Sequence, residues 1–162
     1  MKNNLLLSVA VAGAIAIPSI SFAGTEAGDK TIGIFLNYSK MEDADDASGY
    51  GAITAGYFIS DAIEINGQFS TSIGETMNGF VYGGANYHFA TRSTTVPYVG
   101  TAYGQSVGDG DTDFSIISVL GGLKSFVSEN VNINTQLRYD DMSFTGGSTS
   151  QVGLNVGVEI QY

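Results

Sequence analysis

The chain has 162 residues, no cysteine, and a formal net charge of −10 from six basic and sixteen acidic side chains. That charge excludes nucleic acid as a partner, because binding it depends on neutralising phosphates with Lys and Arg. The missing cysteines exclude the disulfide framework that staples many small exported domains.

From the amino terminus, Lys2 precedes an apolar or small run from Leu5 to Ile17, a break at Pro18, and Ser21-Phe22-Ala23 with small residues at the minus-three and minus-one positions. This is the pattern of a secretory signal peptide cleaved after Ala23. A membrane-spanning helix needs about 20 apolar residues, more than the run supplies. Residues 1–23 are therefore read as a signal peptide, 24–29 as a short lead and 30–162 as a single domain. Cleavage removes Lys2 and leaves Lys30, Lys40, Arg92, Lys124 and Arg138 as the basic residues.

Beyond the lead, apolar residues recur with a period of two, the mark of strands with one apolar and one polar face. Ile32, Ile34, Leu36 and Tyr38 share a face in segment 30–39, and Ile53, Ala55, Tyr57 and Ile59 in segment 49–59. The third segment sets Ile63, Ile65, Gly67 and Phe69 against Glu64, Asn66, Gln68 and Ser70; the fourth, 80–89, sets Val81, Ala85, Tyr87 and Phe89 against Tyr82, Asn86 and His88. Segment 96–106 leaves its facing open, with either Tyr98, Gly100 and Ala102 or Val99, Thr101 and Tyr103 outward. Ile117, Val119, Leu123 and Val127 oppose Ser118, Gly122 and Lys124 in segment 114–127. Val131, Ile133, Thr135, Leu137 and Tyr139 then oppose Asn132, Asn134, Gln136, Arg138 and Asp140. The last segment, Val152 to Tyr162, is apolar at every even position, with Asn155, Glu159 and Gln161 among the odd ones.

The connections alternate in character. Phe58-Ile-Ser-Asp-Ala-Ile-Glu-Ile65 recurs as Phe126-Val-Ser-Glu-Asn-Val-Asn-Ile133, and both read as tight hairpin turns. Aromatic residues end the even-numbered segments at Phe58, Phe89, Phe126 and Tyr162. Longer polar connections are expected near 40–48, 72–79, 107–113 and 140–150. They hold the acidic clusters Glu42, Asp43, Asp45 and Asp46, and Asp109, Asp111 and Asp113. Short turns at one end and longer loops at the other are the asymmetry of outer-membrane barrels.

A soluble barrel with an apolar interior is the alternative, but the polar faces carry too many Asn, Gln, Glu and Arg side chains for such a core. Strands of about 9–11 residues suffice to cross a bilayer. In hydrocarbon the sheet must close, since an open edge would strand its backbone groups. The 22 glycines relieve crowding on a tightly curved wall, and Tyr38, Tyr57, Phe69, Tyr87, Tyr139 and Tyr162 are placed to form interfacial girdles. The expected fold is all-β, an eight-stranded antiparallel up-and-down transmembrane β-barrel.

The terminal alternation ending in Tyr162, the Phe126-Val-Ser-Glu-Asn-Val131 turn and the Pro97-Tyr-Val-Gly100 strand start resemble the small eight-stranded outer-membrane barrel proteins of Gram-negative bacteria. The resemblance covers 30–162. It implies export to the outer membrane, contact with outer-membrane lipid and lipopolysaccharide, and recognition by the outer-membrane insertion machinery, with Val156, Val158, Ile160 and Tyr162 as the assembly signal. It is loose as to activity, because this architecture carries adhesins, lipid-modifying enzymes, structural proteins and small pores.

Lipid-modifying members use a histidine with a serine or acidic partner. The single histidine here, His88, lacks the His-x-Ser arrangement, and its parity points it inward near a short turn. It reads as an interior hydrogen-bonding residue, so neither enzymatic activity nor a cofactor is expected. The interior of an eight-stranded barrel is just wide enough for side chains to fill, so inward charges should meet. Lys124 is expected to pair with Glu159 or Glu64 near the short-turn end, and Arg138, which like Asp140 projects inward nearer the loops, with a neighbouring acid, plugging the lumen. Asp109-Gly-Asp-Thr-Asp113 alternates carboxylates like a calcium loop but lacks the later bidentate glutamate, and reads as solvated loop. The reading is a monomeric, non-enzymatic outer-membrane protein with a structural or surface-interaction role. The alternatives are a narrow pore for ions or small solutes, and an adhesin acting through the external loops.

Overall fold

The computed structural model describes residues 24–41, 48–72, 79–107 and 114–162. The expected signal peptide and the acidic clusters Glu42 to Asp46 and Asp109 to Asp113 lie outside the described residues. Eight strands follow one another: β1 (Lys30–Met41), β2 (Ser48–Ser60), β3 (Ile63–Ser72), β4 (Gly79–His88), β5 (Thr95–Val107), β6 (Phe114–Phe126), β7 (Val131–Phe144) and β8 (Gly147–Gln161). Each pairs antiparallel with its sequence neighbours, and β1 pairs with β8 to close the barrel. The last residue completes the seam: the Tyr162 N–H donates to the Lys30 carbonyl at 2.9 Å, and the Lys30 N–H donates to the Tyr162 carbonyl at 2.8 Å.

Polarity is inverted relative to a soluble barrel. Ile34 and Leu36 are 69% and 65% exposed, whereas Glu64, His88, Lys124, Arg138, Asp140 and Glu159 are buried. The six girdle aromatics Tyr38, Tyr57, Phe69, Tyr87, Tyr139 and Tyr162 all lie on the outer face. On β5 the open choice resolves with Val99, Thr101 and Tyr103 outward and Val96, Tyr98 and Ala102 inward.

The repeated hairpin has one physical device in both copies. In the β2–β3 turn the Ile63 N–H donates to Ser60 Oγ at 3.1 Å, and in the β6–β7 turn the Val131 N–H donates to Ser128 Oγ at 3.1 Å. A serine hydroxyl replacing a backbone acceptor in this way is a common means of closing a tight turn. The terminal aromatics separate, however. Phe58 and Phe126 are fully buried inside, while Phe89 and Tyr162 face out.

One expected connection is corrected. The long loop near 140–150 does not exist: β7 runs to Phe144, β8 begins at Gly147, and Phe144 pairs with Gly147 across a two-residue turn whose Gly146 has φ 111°. The apolar alternation stops at Tyr139 because the outer positions beyond it are Asp141 and Ser143, opposite Ser150 and Ser148. The hydrogen-bonded ladder continues past the point where the outer face needs to be apolar.

Curvature brings inward side chains together, and glycine makes room for them. A Cβ on inward-facing Gly157 would lie 2.5 Å from the Ile34 carbonyl oxygen and 2.6 Å from the Phe35 ring, whereas a Cβ on outward-facing Gly83 would meet nothing within 4 Å. Overpacking of a filled interior costs about 1–3 kcal/mol, and replacing a strand glycine with alanine in open space gains about 0.5–1 kcal/mol. Urea titration of the refolded chain in micelles is therefore expected to show Gly157→Ala lowering the midpoint and Gly83→Ala leaving it unchanged or raised. Equal shifts would contradict this packing.

Candidate functional site

The lumen is the site at which the chemistry-bearing side chains converge. Strand alternation sends every second residue inward, and the register then stacks those residues in layers. Near the short-turn end, Val96 and Phe126 form a buried apolar cluster. Phe58, also fully buried, sits beneath the Lys124 ammonium, with Nζ 5.2 Å from the ring centroid.

Above them lies the first ionic layer. Lys124 Nζ is 3.2 Å from Glu64 Oε1 and 3.1 Å from Glu159 Oε2, so one cation is shared by carboxylates on β3 and β8. Glu64 also accepts from Thr31 Oγ1 at 2.9 Å and Asn86 Nδ2 at 3.1 Å, and His88 Nε2 lies 3.1 Å from its Oε2. The His88 ring stacks on Tyr98 with centroids 5.2 Å apart. Four strands, β1, β3, β4 and β6, thus meet at one carboxylate, satisfying its lone pairs as a buried charge requires.

A neutral belt follows. The Tyr98 hydroxyl donates to Asn134 Oδ1 at 2.7 Å and accepts from Gln136 Nε2 at 3.0 Å. Asn155 Nδ2 donates to Gln136 Oε1 at 2.6 Å, and Asn37 Nδ2 donates to Asn155 Oδ1. The second ionic layer comes next, where Arg138 Nε is 2.6 Å from Asp140 Oδ1. Arg138 also donates to Ser118 Oγ at 2.7 Å, its guanidinium carbon lies 4.0 Å from the Tyr82 ring centroid, and Gln151 Nε2 donates to Asp140 Oδ2 at 2.8 Å. Tyr82, Ile116 and Met142, with Phe80 packed against them, make a second apolar layer toward the loop end.

All six interior residues expected from the sequence are thus inside, in two groups set apart along the barrel as their positions on the strands imply. Glu64, His88, Lys124 and Glu159 form one; Arg138 and Asp140 form the other, linked through Ser118, Gln151 and Tyr82. Sequence reasoning missed the neutral belt and the two apolar layers. Parity put Asn134, Gln136 and Asn155 on the inward polar faces, but which of them touch is set by cross-strand register. Little open space is left: the interior holds spaces of about 30 and 40 Å³, one bordered by Glu64, Asn86, Tyr98 and Glu159 and the other by Gln68, Tyr82, Asp140 and Gln151. A water needs at least about 10–15 Å³ by this kind of measure, so these spaces suit a few waters. Among the described residues no group of three or more His, Asp or Glu side chains is arranged to hold a metal ion.

Val156, Val158 and Ile160 form an outward apolar row on β8 that Tyr162, just past the strand, continues. No protein-family profile and no curated protein matches the sequence. Solved structures do match. The crystal structure of Neisserial surface protein A superposes with a TM-score of 0.61 at 18% identity, covering 83% of this chain and 96% of that one. Ail, the attachment invasion locus protein of Yersinia pestis, gives 0.57 at 13% identity, covering 84% and 99%.

The chain has the fold of the small eight-stranded outer-membrane barrels. A de novo designed transmembrane β-barrel matches as well, with a TM-score of 0.66 at 12% identity over 86% of this chain and 99% of the other. That a designed protein shares this shape means that the shape alone assigns no activity.

Proposed function

We propose that the protein is an integral protein of the bacterial outer membrane, exported by a cleaved signal peptide of residues 1–23, with a sealed lumen and a structural or surface-interaction role rather than an enzymatic one. The observation that carries this reading is the pairing of an exposed apolar wall with an interior filled by partnered charges. An apolar wall needs lipid as its solvent. Charges held in buried pairs, with interior spaces of only about 30 and 40 Å³ between them, support a lumen without a continuous aqueous path.

Planar-bilayer recording tests the seal. The refolded protein is expected to give no steady conductance, and Lys124→Gln none of the same kind either; steady current steps that change with Lys124→Gln would instead establish a pore. The match to outer-membrane barrels of bacteria supports the location, and membrane fractionation of cells producing the full chain tests it.

Outer-membrane lipid and lipopolysaccharide are the proposed surroundings, and the insertion machinery the transient partner, with Val156, Val158, Ile160 and Tyr162 as the signal it reads. Tyr162 stands at the seam with Lys30 and 64% exposed. Deleting Tyr162 is expected to cut the yield of heat-modifiable, outer-membrane-inserted protein several-fold while refolding in micelles persists. Undiminished insertion would remove Tyr162 from the signal.

A further inference from the structure

The lead, Gly24 to Asp29, is not a loose approach to β1. It lies across the short-turn mouth of the barrel and is bonded to three separated parts of its rim. The Thr25 N–H donates to the Thr91 carbonyl at 2.8 Å, in the β4–β5 connection on the wall opposite β1. Thr25 Oγ1 donates to the Asp61 carbonyl at 2.6 Å and the Ala27 N–H to Asp61 Oδ1 at 3.0 Å, both in the β2–β3 turn. Gln161 Nε2, at the end of β8, donates to the Gly24 carbonyl and to Asp29 Oδ2, each at 2.7 Å. Thr25 is only 1% exposed.

Two features show that the fit is built. Gly28 has φ 97°, a left-handed conformation that suits glycine. At Gly24 a Cβ would lie 2.3 Å from the Thr91 carbonyl oxygen, so no larger residue can hold this position without lifting the segment.

We infer that residues 24–29 are a strap that locks the barrel after closure. The contacts it makes exist only when distant strands are already in place: Gln161 and Gly24 are 137 residues apart in sequence, and Thr25 and Asp61 are 36 apart. Before β1 and β8 pair, the Gln161 side chain has no Gly24 carbonyl beside it. An interaction formed after the rate-limiting step of folding slows unfolding and leaves the folding rate alone.

The test frees the strap in two ways, from its own side and from the rim. Gly24→Val displaces the strap without changing any barrel residue, and Gln161→Leu removes the amide that holds it. Rates are measured on the refolded full chain in micelles, with unfolding started by a jump into urea and folding by dilution from it. Both are followed by the gel-mobility difference between folded and unfolded barrel. Each variant is expected to unfold about tenfold faster and to fold within about twofold of the parent, as for a contact absent from the transition state. The double variant is expected to unfold no faster than the faster single one, because either change alone already frees the same strap. Unchanged unfolding in Gly24→Val, folding slowed as much as unfolding is accelerated, or additive effects in the double variant would each overturn the lock. Gly24→Val keeps the test decisive should Gln161→Leu, which lies in β8, fail to fold.

Discussion

Lys124→Met is expected to lower the stability of the refolded barrel by about 3–5 kcal/mol, the range for removing one partner of a buried ion pair. Lys124 is 1% exposed, and its ammonium is the cation shared by Glu64 and Glu159 at 3.2 and 3.1 Å. Without it, Glu64 keeps Thr31, Asn86 and His88 as neighbours, but two buried carboxylates then face one another across the lumen. The cost comes from that uncompensated charge rather than from lost packing, since methionine fills a similar volume. A second variant separates the two causes. Adding Glu64→Gln and Glu159→Gln to Lys124→Met removes the stranded charges, and is expected to recover most of the loss. Urea unfolding in micelles reads both. A loss below about 1 kcal/mol for Lys124→Met would place the pair in the class of solvated surface bridges and sink the sealed-lumen reading.

The sequence made the wall legible and the lumen only partly so, for a physical reason. A strand whose two faces meet lipid and polar side chains has the strongest possible contrast at period two. Segments such as Ile63 to Ser70 and Val131 to Asp140 therefore announced their facing residue by residue. The contrast fails where the surroundings stop demanding it. Beyond Tyr139 the outer positions are polar, so the last turn of β7 and the first of β8 looked like loop although their ladder is intact. On β5 glycine, alanine and threonine gave both faces similar polarity, and the inward position of Tyr98 is decided by its bonds to Asn134 and Gln136 on β7.

The internal contacts depend on how far each strand is staggered past the next, a property of the closed sheet and not of any one segment. Gln68 and Arg138 come within 3.4 Å although 70 residues separate them. Parity could put both inside; only closure puts them together. The lead was illegible for a related reason. Its six residues have no periodicity, and their place is set by Asp61, Thr91 and Gln161, which become neighbours only at the mouth of the finished barrel.

The outer wall supplies the other large effect. Ile34→Arg is expected to cost about 2–4 kcal/mol in a lipid bilayer, the range for an arginine on the lipid face near the midplane of a transmembrane barrel. Ile34 is 69% exposed and lies between Ile32 and Leu36 on the outer face of β1. Nothing in the protein is displaced by a longer side chain there, so any penalty arises from the solvent. Ser143→Arg supplies the comparison. Ser143 is also exposed on the outer face, but it lies past Tyr139 where the apolar band has ended, and the expected cost near the interface is about 0–1 kcal/mol. Both variants are measured by urea unfolding from the same phosphatidylcholine vesicles. A barrel whose outer surface met water would tolerate both changes alike and would gain solubility from Ile34→Arg. Equal costs at the two positions would therefore count against lipid as the solvent of this wall, while a depth-dependent difference is what an apolar band flanked by Tyr38 and Tyr139 at the loop end and by Tyr57 and Tyr162 at the short-turn end requires.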